Sequence, residues 1–194
     1  MNRAADVALA GVSLVLTGPV LAAAALAVKL EDGGPVLYRQ TRVGKDGRDF
    51  EVLKLRSMVV GAERQGLGYA VDRGDARITR VGRILRRTSI DELPQLWNVV
   101  RGDMSVIGPR PTLRYQVERY DERQRKRLDV RPGLTGWAQI HGRATLAWAE
   151  RIELDVWYVE HRSPLLDLKI LLRTPLALFG GTYRGSSGGW RAED

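Results

Sequence analysis

The longest uncharged stretch of the chain lies near its N-terminus, where residues 7–28 contain no charged side chain. A helix that crosses a bilayer needs about 20 apolar residues, so this stretch is long enough to cross one. Gly18 and Pro19 lie at its middle. Pro19 has no N–H to donate to the carbonyl of Val15, and the residue before a proline avoids helical angles. The sequence therefore predicts a sharp break there, with Thr17 satisfying a freed backbone group.

Three arrangements of this segment remain open on the residues alone. Residues 25–27 resemble the cleavage site of a secretory signal, although the n-region is weak and the apolar run is long for one. A kinked spanning helix would export either the N-terminus or the basic remainder, and the positive-inside tendency disfavours the second. A re-entrant helix–break–helix would instead enter and leave one leaflet, and would keep Arg3, Lys29 and the following domain on the cytosolic side.

The composition narrows the class of partner. The chain has 194 residues, which suits one globular domain, and its formal net charge is +8. Such a surface suits nucleic acid, anionic lipid or phosphorylated substrates. The absence of cysteine from the sequence excludes disulfides and thiolate metal sites. Two histidines far apart in sequence, His141 and His161, argue against a histidine-rich metal site.

Two adjacent carboxylates, Asp91 and Glu92, follow the basic run 83–87. A helix is expected from about residue 89 to 101, and its start has two interpretations. Ser89 as N-cap with Glu92 three residues later forms a capping box, whereas Asp91 as N-cap would place Pro94 in the first turn. Either start puts Asp91 at the positive end of a helix dipole, which also binds phosphate. Plain capping remains the alternative to a catalytic role.

A β-hairpin is predicted from strands at 36–43 and 49–58, joined by a glycine-containing turn. Period-two alternation places Lys54 and Arg56 on one face with two apolar residues. These cations either hold an anion at a sheet edge or form a solvated basic face. Farther along, Arg110 lies between Pro109 and Pro111 on a stiff backbone, so it loses little entropy on binding a ligand; an ordinary turn is the alternative.

Helical periodicity also covers 113–129, 144–161 and 165–179. The first has a thin apolar stripe, formed by Leu113, Val117, Tyr120 and Leu128, on an otherwise charged helix, and is expected to be a solvated face or one near lipid headgroups. The last is expected to be amphipathic, ending at or shortly after Thr174-Pro175. Asp155 lies on the apolar stripe of the second helix, which requires either an ion-pair partner such as Arg151 or a metal. A mobile loop is expected over 62–75, and the glycine- and serine-rich tail should be flexible.

Motifs along nearly the whole chain resemble the signature of the bacterial sugar transferases, which are small monotopic phosphoglycosyl transferases. The motifs occupy residues 34–36, 54–58, 86–98, 102–105, 108–111, 131–139 and 167–170. Their number and order make the resemblance specific. It implies transfer of a sugar-1-phosphate from a nucleoside diphosphate sugar, usually a UDP-sugar, to polyprenyl phosphate. The products would be UMP and a polyprenyl-diphospho-sugar, in the first membrane step of glycan assembly.

The resemblance also implies roles for individual residues. Asp91 would attack the sugar-linked phosphorus and form a covalent intermediate, and Glu92 would be a proton handler or merely a capping acid. Mg²⁺ would be coordinated by Asp91, with Asp155 near the metal. The substrate-binding residues would be Arg86, Lys54, Arg56, Pro109, Arg110 and Pro111. In this family the helix break is at a Ser-Pro pair, whereas this chain has Gly18 before Pro19.

The expected fold is α+β: a re-entrant helix over 1–30, a mostly helical cytosolic domain over 31–180 with a small β-hairpin and interfacial amphipathic helices, and a flexible tail over 181–194. The enzyme would be monotopic on the cytosolic face of the inner membrane. Expected partners are the nucleotide sugar, polyprenyl phosphate and membrane lipids, with a homodimer as an option and no nucleic acid. A membrane-bound scaffold or a nucleic-acid-binding protein would explain the charge but not the paired carboxylates.

Overall fold

The computed structural model describes residues 2–65, 74–142 and 146–179, with backbone alone at 178 and 179. The fold is α+β, as predicted. Its helices are α1 (Arg3–Asp32), α2 (Arg80–Thr88), α3 (Gln95–Arg101), α4 (Arg114–Val117), α5 (Glu122–Arg125), α6 (Trp137–Ile140), α7 (Trp148–His161) and α8 (Pro164–Phe179). Its strands are β1 (Leu37–Val43), β2 (Asp49–Leu55), β3 (Ser105–Ile107) and β4 (Gly133–Thr135). The predicted loop over 62–75 lies partly, and the tail over 181–194 wholly, outside the described residues.

The apolar N-terminal segment forms one helix, α1, which contains Pro19. The prediction that Gly18 and Pro19 interrupt the helix is therefore wrong, because the alanine- and leucine-rich flanks favour helix strongly on both sides. The hydroxyl of Thr17 donates to the carbonyl of Ser13 at 2.7 Å. It does not satisfy the carbonyl of Val15, which Pro19 leaves without a donor.

Both ends of α1 are fixed to the rest of the fold. Near the N-terminus, Asp6 accepts hydrogen bonds from the Ser105 hydroxyl at 2.8 Å and the Val106 amide at 2.9 Å. Ala10 packs against α3, and Val28 packs near the other end against α2 and β2. Across positions 11–23, all of them described, no side chain is buried. The helix is thus held most firmly at its two ends, while its apolar middle is only partly covered, by contacts such as those of Leu14 and Leu21.

Strands β1 and β2 form the predicted antiparallel hairpin, joined by a 3₁₀ turn at Lys45–Gly47. The register pairs Tyr38 with Lys54 and Arg42 with Phe50. Directly paired residues project from the same face of a sheet. One face of the hairpin therefore carries cations from both strands.

The single helix predicted over 89–101 is instead a tight turn followed by α3. Ser89 ends α2 with a left-handed backbone conformation, φ +59°, and Ile90–Glu92 forms a 3₁₀ turn. Neither predicted N-cap holds, since Ser89 makes no capping hydrogen bond and Asp91 lies inside the turn. Pro94 directly precedes α3, where its fixed φ suits a helix start and its missing N–H costs nothing.

A second, parallel strand pair joins β3 to β4, and the sequence did not predict it. The strands have three residues each, too few for an alternating pattern to show. Two glycines permit the close approach that follows β3. A Cβ on Gly133 would lie 2.0 Å from the Gly108 nitrogen, and one on Gly108 would lie 2.5 Å from the Arg131 carbonyl oxygen. Only glycine fits at this crossing.

The single helix predicted over 113–129 is also wrong. The structure has α4, α5 and a 3₁₀ turn at Lys126–Asp129, with Asp121 capping α5 by accepting from the Gln124 amide at 2.7 Å. This cap starts a new helix, separate from α4. The stripe expected to be solvated is instead core, because Val117 and Tyr120 pack with α7 and β1.

Helix α8 has two contrasting faces. Ile170 is fully buried in a cluster with β3 and α7. On the other side, four leucines at positions 165, 168, 172 and 176 are between 50% and 77% exposed. Their spacing places them on one side of the helix. Pro175 lies inside α8 and does not end it, so the earlier of the two predicted stops is wrong.

Gly82 provides a test of the packing between α2 and the end of β2. A Cβ at this position would lie 2.0 Å from the Ser57 carbonyl oxygen, which is backbone and cannot rotate away. We expect Gly82→Ala to lower the midpoint of thermal unfolding in detergent, at a cost of about 2 kcal/mol or more.

Gly11→Ala in α1 is the matched control, since its Cβ would meet nothing within 4 Å. Alanine there should leave stability unchanged or raise it slightly. Equal unfolding midpoints for the two variants would contradict the close approach at Gly82.

Candidate active site

Asp91 and Glu92 lie in the 3₁₀ turn between α2 and α3. Backbone hydrogen bonds from Glu92 to Ser89 (3.1 Å) and from Leu93 to Ile90 (3.2 Å) close the turn. The turn directs the two neighbouring side chains to different surroundings. Asp91 is only 5% exposed, whereas Glu92 reaches the hairpin and the loop after β3.

Glu92 is held by two cations from distant segments. Lys54 Nζ donates to Glu92 Oε1 at 3.0 Å, and Arg110 donates to both carboxylate oxygens, with Nη1 at 3.3 Å from Oε2. Burial raises the pKa of Glu92, but the charges of Arg110 and Lys54 outweigh it and hold the pKa well below its usual range. Glu92 is therefore ionised throughout the neutral range and is fixed in orientation.

Asp91 has the opposite environment. Its Oδ1 atom is buried and has no hydrogen-bond partner among the residues that the structure describes. Burial and the neighbouring charge of Glu92 raise the pKa of Asp91 to about 6, although Lys54, Arg86 and Arg110 act in the other direction. Adjacent carboxyls with pKa values displaced in opposite directions are typical of acids with separate chemical roles. The available oxygen of Asp91 can meet an electrophile or a cation, while Glu92 orients its surroundings.

The sequence-predicted cations divide into two groups. Lys54, Arg86 and Arg110 all act electrostatically on Asp91. Arg56 does not contact the paired acids in the described part of the chain. It lies just beyond β2 and is buried, with Nη1 donating to Asp32 Oδ2 at 2.6 Å and Nε donating to the Pro35 carbonyl at 2.6 Å. In this structure Arg56 joins the end of α1 to the hairpin.

Asp155 is buried with Arg127, whose Nη2 donates to Asp155 Oδ2 at 2.6 Å. Arg127 also donates to the Tyr120 hydroxyl, and its Nη2 to the Arg110 carbonyl at 3.2 Å. The ion-pair partner is thus Arg127, where the sequence suggested Arg151. Through Arg127, Asp155 supports the backbone of the segment that presents Arg110.

The segment 109–111 is fixed from two sides. The Pro109 carbonyl accepts from the Gly133 amide at 2.8 Å, and the Gly108 amide donates to the Thr135 carbonyl at 2.9 Å. A cleft lies between this segment and the start of the hairpin turn, with Val43 and apolar side chains from 128–132 in its walls. The three predicted residues Pro109, Arg110 and Pro111 all line it.

Two carboxylates suit a divalent cation by their chemistry. The Oδ1 atoms of both Asp91 and Asp155 are buried without a hydrogen-bond partner in the described ranges. Those ranges contain no group of three or more histidine, cysteine or acidic side chains placed to hold a metal together. Mg²⁺ takes few protein carboxylates and completes its shell with water and phosphate oxygens. Coordination by Asp91 and Asp155 therefore stays a prediction.

Arg42 is a site residue that the sequence did not predict. It is half-buried on β1, lies near Glu92 and Arg110, and donates from Nη1 to the Pro111 carbonyl at 3.4 Å. Strand alternation groups it with Tyr38 and Gln40. The sequence of β1 alone does not show which face of the strand meets the paired acids. The pairing of Tyr38 with Lys54 shows it.

Comparison with known proteins identifies the family of the chain. The family model described as bacterial sugar transferase matches residues 1–181. EpsL of Bacillus subtilis (strain 168), named an uncharacterized sugar transferase, is 43% identical over 174 residues, which cover 90% of this chain and 85% of EpsL. The UDP-glucose:undecaprenyl-phosphate glucose-1-phosphate transferase of Caulobacter vibrioides is 47% identical over 181 residues, or 89% of this chain and 67% of that protein.

Some relatives are much longer. The protein of the same name from Escherichia coli (strain K12) is 46% identical over 182 residues, and the match covers 90% of this chain but only 39% of that protein. The chain thus spans well under half of that relative, and the shared part is the part that contains the site. With a family model covering nearly its full length, the chain belongs to the bacterial sugar transferase family.

Proposed function

We propose that the protein transfers a sugar-1-phosphate from a UDP-sugar to undecaprenyl or a similar polyprenyl phosphate, releasing UMP. The observation that carries the proposal is Asp91 Oδ1, a buried carboxylate oxygen without a hydrogen-bond donor in the described structure, beside Lys54, Arg86 and Arg110. The printed names of the relatives from Caulobacter and Escherichia coli state this type of transfer with glucose, which supports it.

In the first step, an Asp91 oxygen attacks the sugar-linked phosphorus. A bond from that oxygen to phosphorus forms, the bond from phosphorus to the bridging oxygen breaks, and UMP leaves with that oxygen and its electron pair. The product is an acyl phosphate that joins Asp91 to the phosphosugar. Covalent catalysis of this type divides one difficult transfer into two easier ones.

The cations provide most of what phosphoryl transfer needs, which is positioning and charge neutralisation. Arg110, held on a stiff segment and oriented by Glu92, is placed to bind the diphosphate. Lys54 and Arg86 neutralise charge that develops on the phosphoryl oxygens. Glu92 keeps Lys54 and Arg110 in place, and we assign it this orienting role. Mg²⁺, bound by Asp91 with Asp155 nearby, would add further charge neutralisation at the diphosphate.

In the second step, a phosphate oxygen of the polyprenyl phosphate attacks the same phosphorus, and the acyl phosphate bond to Asp91 breaks. The polyprenyl-diphospho-sugar leaves and the carboxylate is restored. Because the same carboxylate meets a soluble nucleotide and then a lipid, the site must lie at the membrane surface.

A re-entrant α1 with both ends on the cytosolic side suits this requirement, with a kink at Pro19 in place of the break expected from the sequence. Arg3 donates to the Val99 and Val100 carbonyls at 2.5 and 2.6 Å, and at the other end Asp32 pairs with Arg56. The two ends thus bond to the same compact domain, while Val15 and Leu16 between them are 78% and 73% exposed. A helix that crossed the bilayer would put its ends on opposite sides. The exposed leucine face of α8 is suited to the membrane interface beside it.

Asp91→Asn should abolish the covalent intermediate. Wild-type protein in nanodiscs, given Mg²⁺ and a mixture of UDP-sugars without lipid acceptor, should gain the mass of one phosphosugar on intact mass spectrometry, and the size of the gain identifies the sugar class. Asp91→Asn should gain nothing, because an amide is a poor nucleophile, and should remain bound to membrane.

Asp129→Asn, which removes an exposed acid, should form the adduct like wild type. UMP release only when UDP-sugar and polyprenyl phosphate are both present, with no adduct from the UDP-sugar alone, would replace the covalent route by direct transfer. Membrane binding with neither adduct nor UMP release from any UDP-sugar would instead support a scaffold.

Because the pKa of Asp91 is raised, Asp91→Asn should also stabilise the folded protein. The pKa of Asp91 in the folded protein, about 6, exceeds the ordinary 3.8. The folded state therefore becomes less stable as the pH rises from 3.8 to about 6 and beyond, because the buried carboxyl must ionise. In EDTA at pH 8, Asp91→Asn should unfold at a higher temperature than wild type. Its free energy of unfolding should be higher by up to about 3 kcal/mol. The difference should shrink at pH 5, and Mg²⁺ should raise the midpoint of wild type but not of the variant.

Glu92→Gln is the contrasting control, since it removes a carboxylate that Lys54 and Arg110 stabilise. It should lower the unfolding midpoint at pH 8. Destabilisation by both substitutions would contradict the separate environments of the two acids.

The accessibility of single introduced cysteines to a reagent tests the topology of α1. The sequence contains no cysteine, so single cysteines can be placed without background. In inside-out membrane vesicles, Ala4→Cys and Leu30→Cys should both react with a membrane-impermeant maleimide, whereas Leu16→Cys should react only after denaturation. Reaction at only one of the two ends would indicate a spanning helix.

A further inference from the structure

One face of the hairpin is directed at the paired acids. Tyr38, Gln40 and Arg42 alternate along β1 and so project from the same face. Tyr38 is paired with Lys54 on β2, and Lys54 donates to Glu92. The face that carries Arg42 is therefore the one that meets Glu92.

Arg42 is held in a fixed orientation by neutral oxygens. Its Nε and Nη2 atoms donate to Gln40 Oε1 at 3.0 and 2.5 Å, and Nη1 lies 3.4 Å from the Pro111 carbonyl oxygen. The guanidinium is half-buried. Among the described residues it has no carboxylate within ion-pair distance.

No carboxylate of the described residues pairs directly with Arg42, and Glu92 stabilises its charge only from a distance. Glu92 is already shared by Lys54 and Arg110, and Arg110 is the nearby cation that acts against Arg42. Burial and the charge of Arg110 lower the pKa of Arg42 to about 10, so it is still charged at neutral pH. Two guanidiniums held together with one shared carboxylate nearby form a site for an anion.

We propose that Arg42, oriented by Gln40, binds the phosphate of the nucleotide together with Arg110. This inference rests on the proposed function and adds a residue to it. Arginine suits this role because its planar donors match phosphate oxygens in pairs. A fixed cation at this position would also neutralise the charge of the departing nucleoside monophosphate.

The position of Arg42 near Arg110, which we assign to the diphosphate, favours the nucleotide over the lipid phosphate. Val43 and Gly44 directly follow Arg42 and form one wall of a small cleft, and the segment 109–112 forms another. The enclosed space of about 10 Å³ holds no more than one water molecule, so a nucleoside would lie against the mouth of the cleft, where Leu128 and Val130 add apolar surface. A phosphate bound between Arg42 and Arg110 would place its nucleoside beside this cleft.

Binding of UMP to the whole protein tests the proposal. In isothermal titration of nanodisc-held protein with UMP, Arg42→Gln should raise the Kd about tenfold or more. Gln40→Leu should raise the Kd less, because the guanidinium remains but is no longer oriented. The kcat/KM for polyprenyl phosphate should stay within about twofold of wild type in both variants, because it depends only on the second step.

Arg39→Gln is the matched control, since Arg39 lies on the opposite face of β1 in an exposed ion pair with Glu51 at 3.5 Å. It should bind UMP like wild type, and all three variants should unfold near the wild-type temperature. Arg42→Lys should recover part of the affinity, because it restores the charge without the paired donors.

Two outcomes would overturn this inference alone. UMP affinity equal to wild type in Arg42→Gln would do so. A lowered kcat/KM for polyprenyl phosphate with unchanged UMP binding would do so too, and would assign the anion site to the lipid. Failure of the wild-type protein to bind UMP or to release it from any UDP-sugar would overturn the proposed function as well.

Discussion

The arrangement of the site depends on the ion pairs of Glu92. One carboxylate joins Lys54 of the hairpin, Arg110 of the segment after β3 and the turn that contains Asp91, three parts of the chain that are distant in sequence. Its pKa stays low because two cations surround it. The same charge helps to raise the pKa of Asp91, so one group both assembles the site and changes the chemistry of its neighbour.

The sequence predicted the parts of the fold that have long, regular patterns. The hairpin appears where alternation and a glycine turn predict it, and the last two helices appear where periodicity predicts them. The predictions were wrong where tertiary contacts determine the local structure. A left-handed Ser89 divides the helix expected over 89–101, and Asp121 restarts the chain within 113–129. The β3–β4 pair is too short for any periodicity to reveal.

The candidate site shows the same division. Lys54, Asp91, Glu92 and Arg110 were predicted and are brought together, because the motifs that contain them are local and distinctive. Arg56 and Arg42 show why the rest could not be predicted. Both are cations of the same hairpin, but the first bonds to the end of α1 and the second faces the paired acids. Which of two such residues reaches a site depends on how the hairpin packs, and its own sequence does not contain that information.

The crossing of Gly108 and Gly133 has a consequence for how members of such a family could diverge. Here the two backbones lie so close that any side chain would collide with main chain, so this part of the structure cannot accept substitution without moving the segment 109–111. Differences between members must then arise from side chains around the site, over a backbone path that stays constant. Engineering of substrate choice should likewise change those side chains and leave the glycines alone.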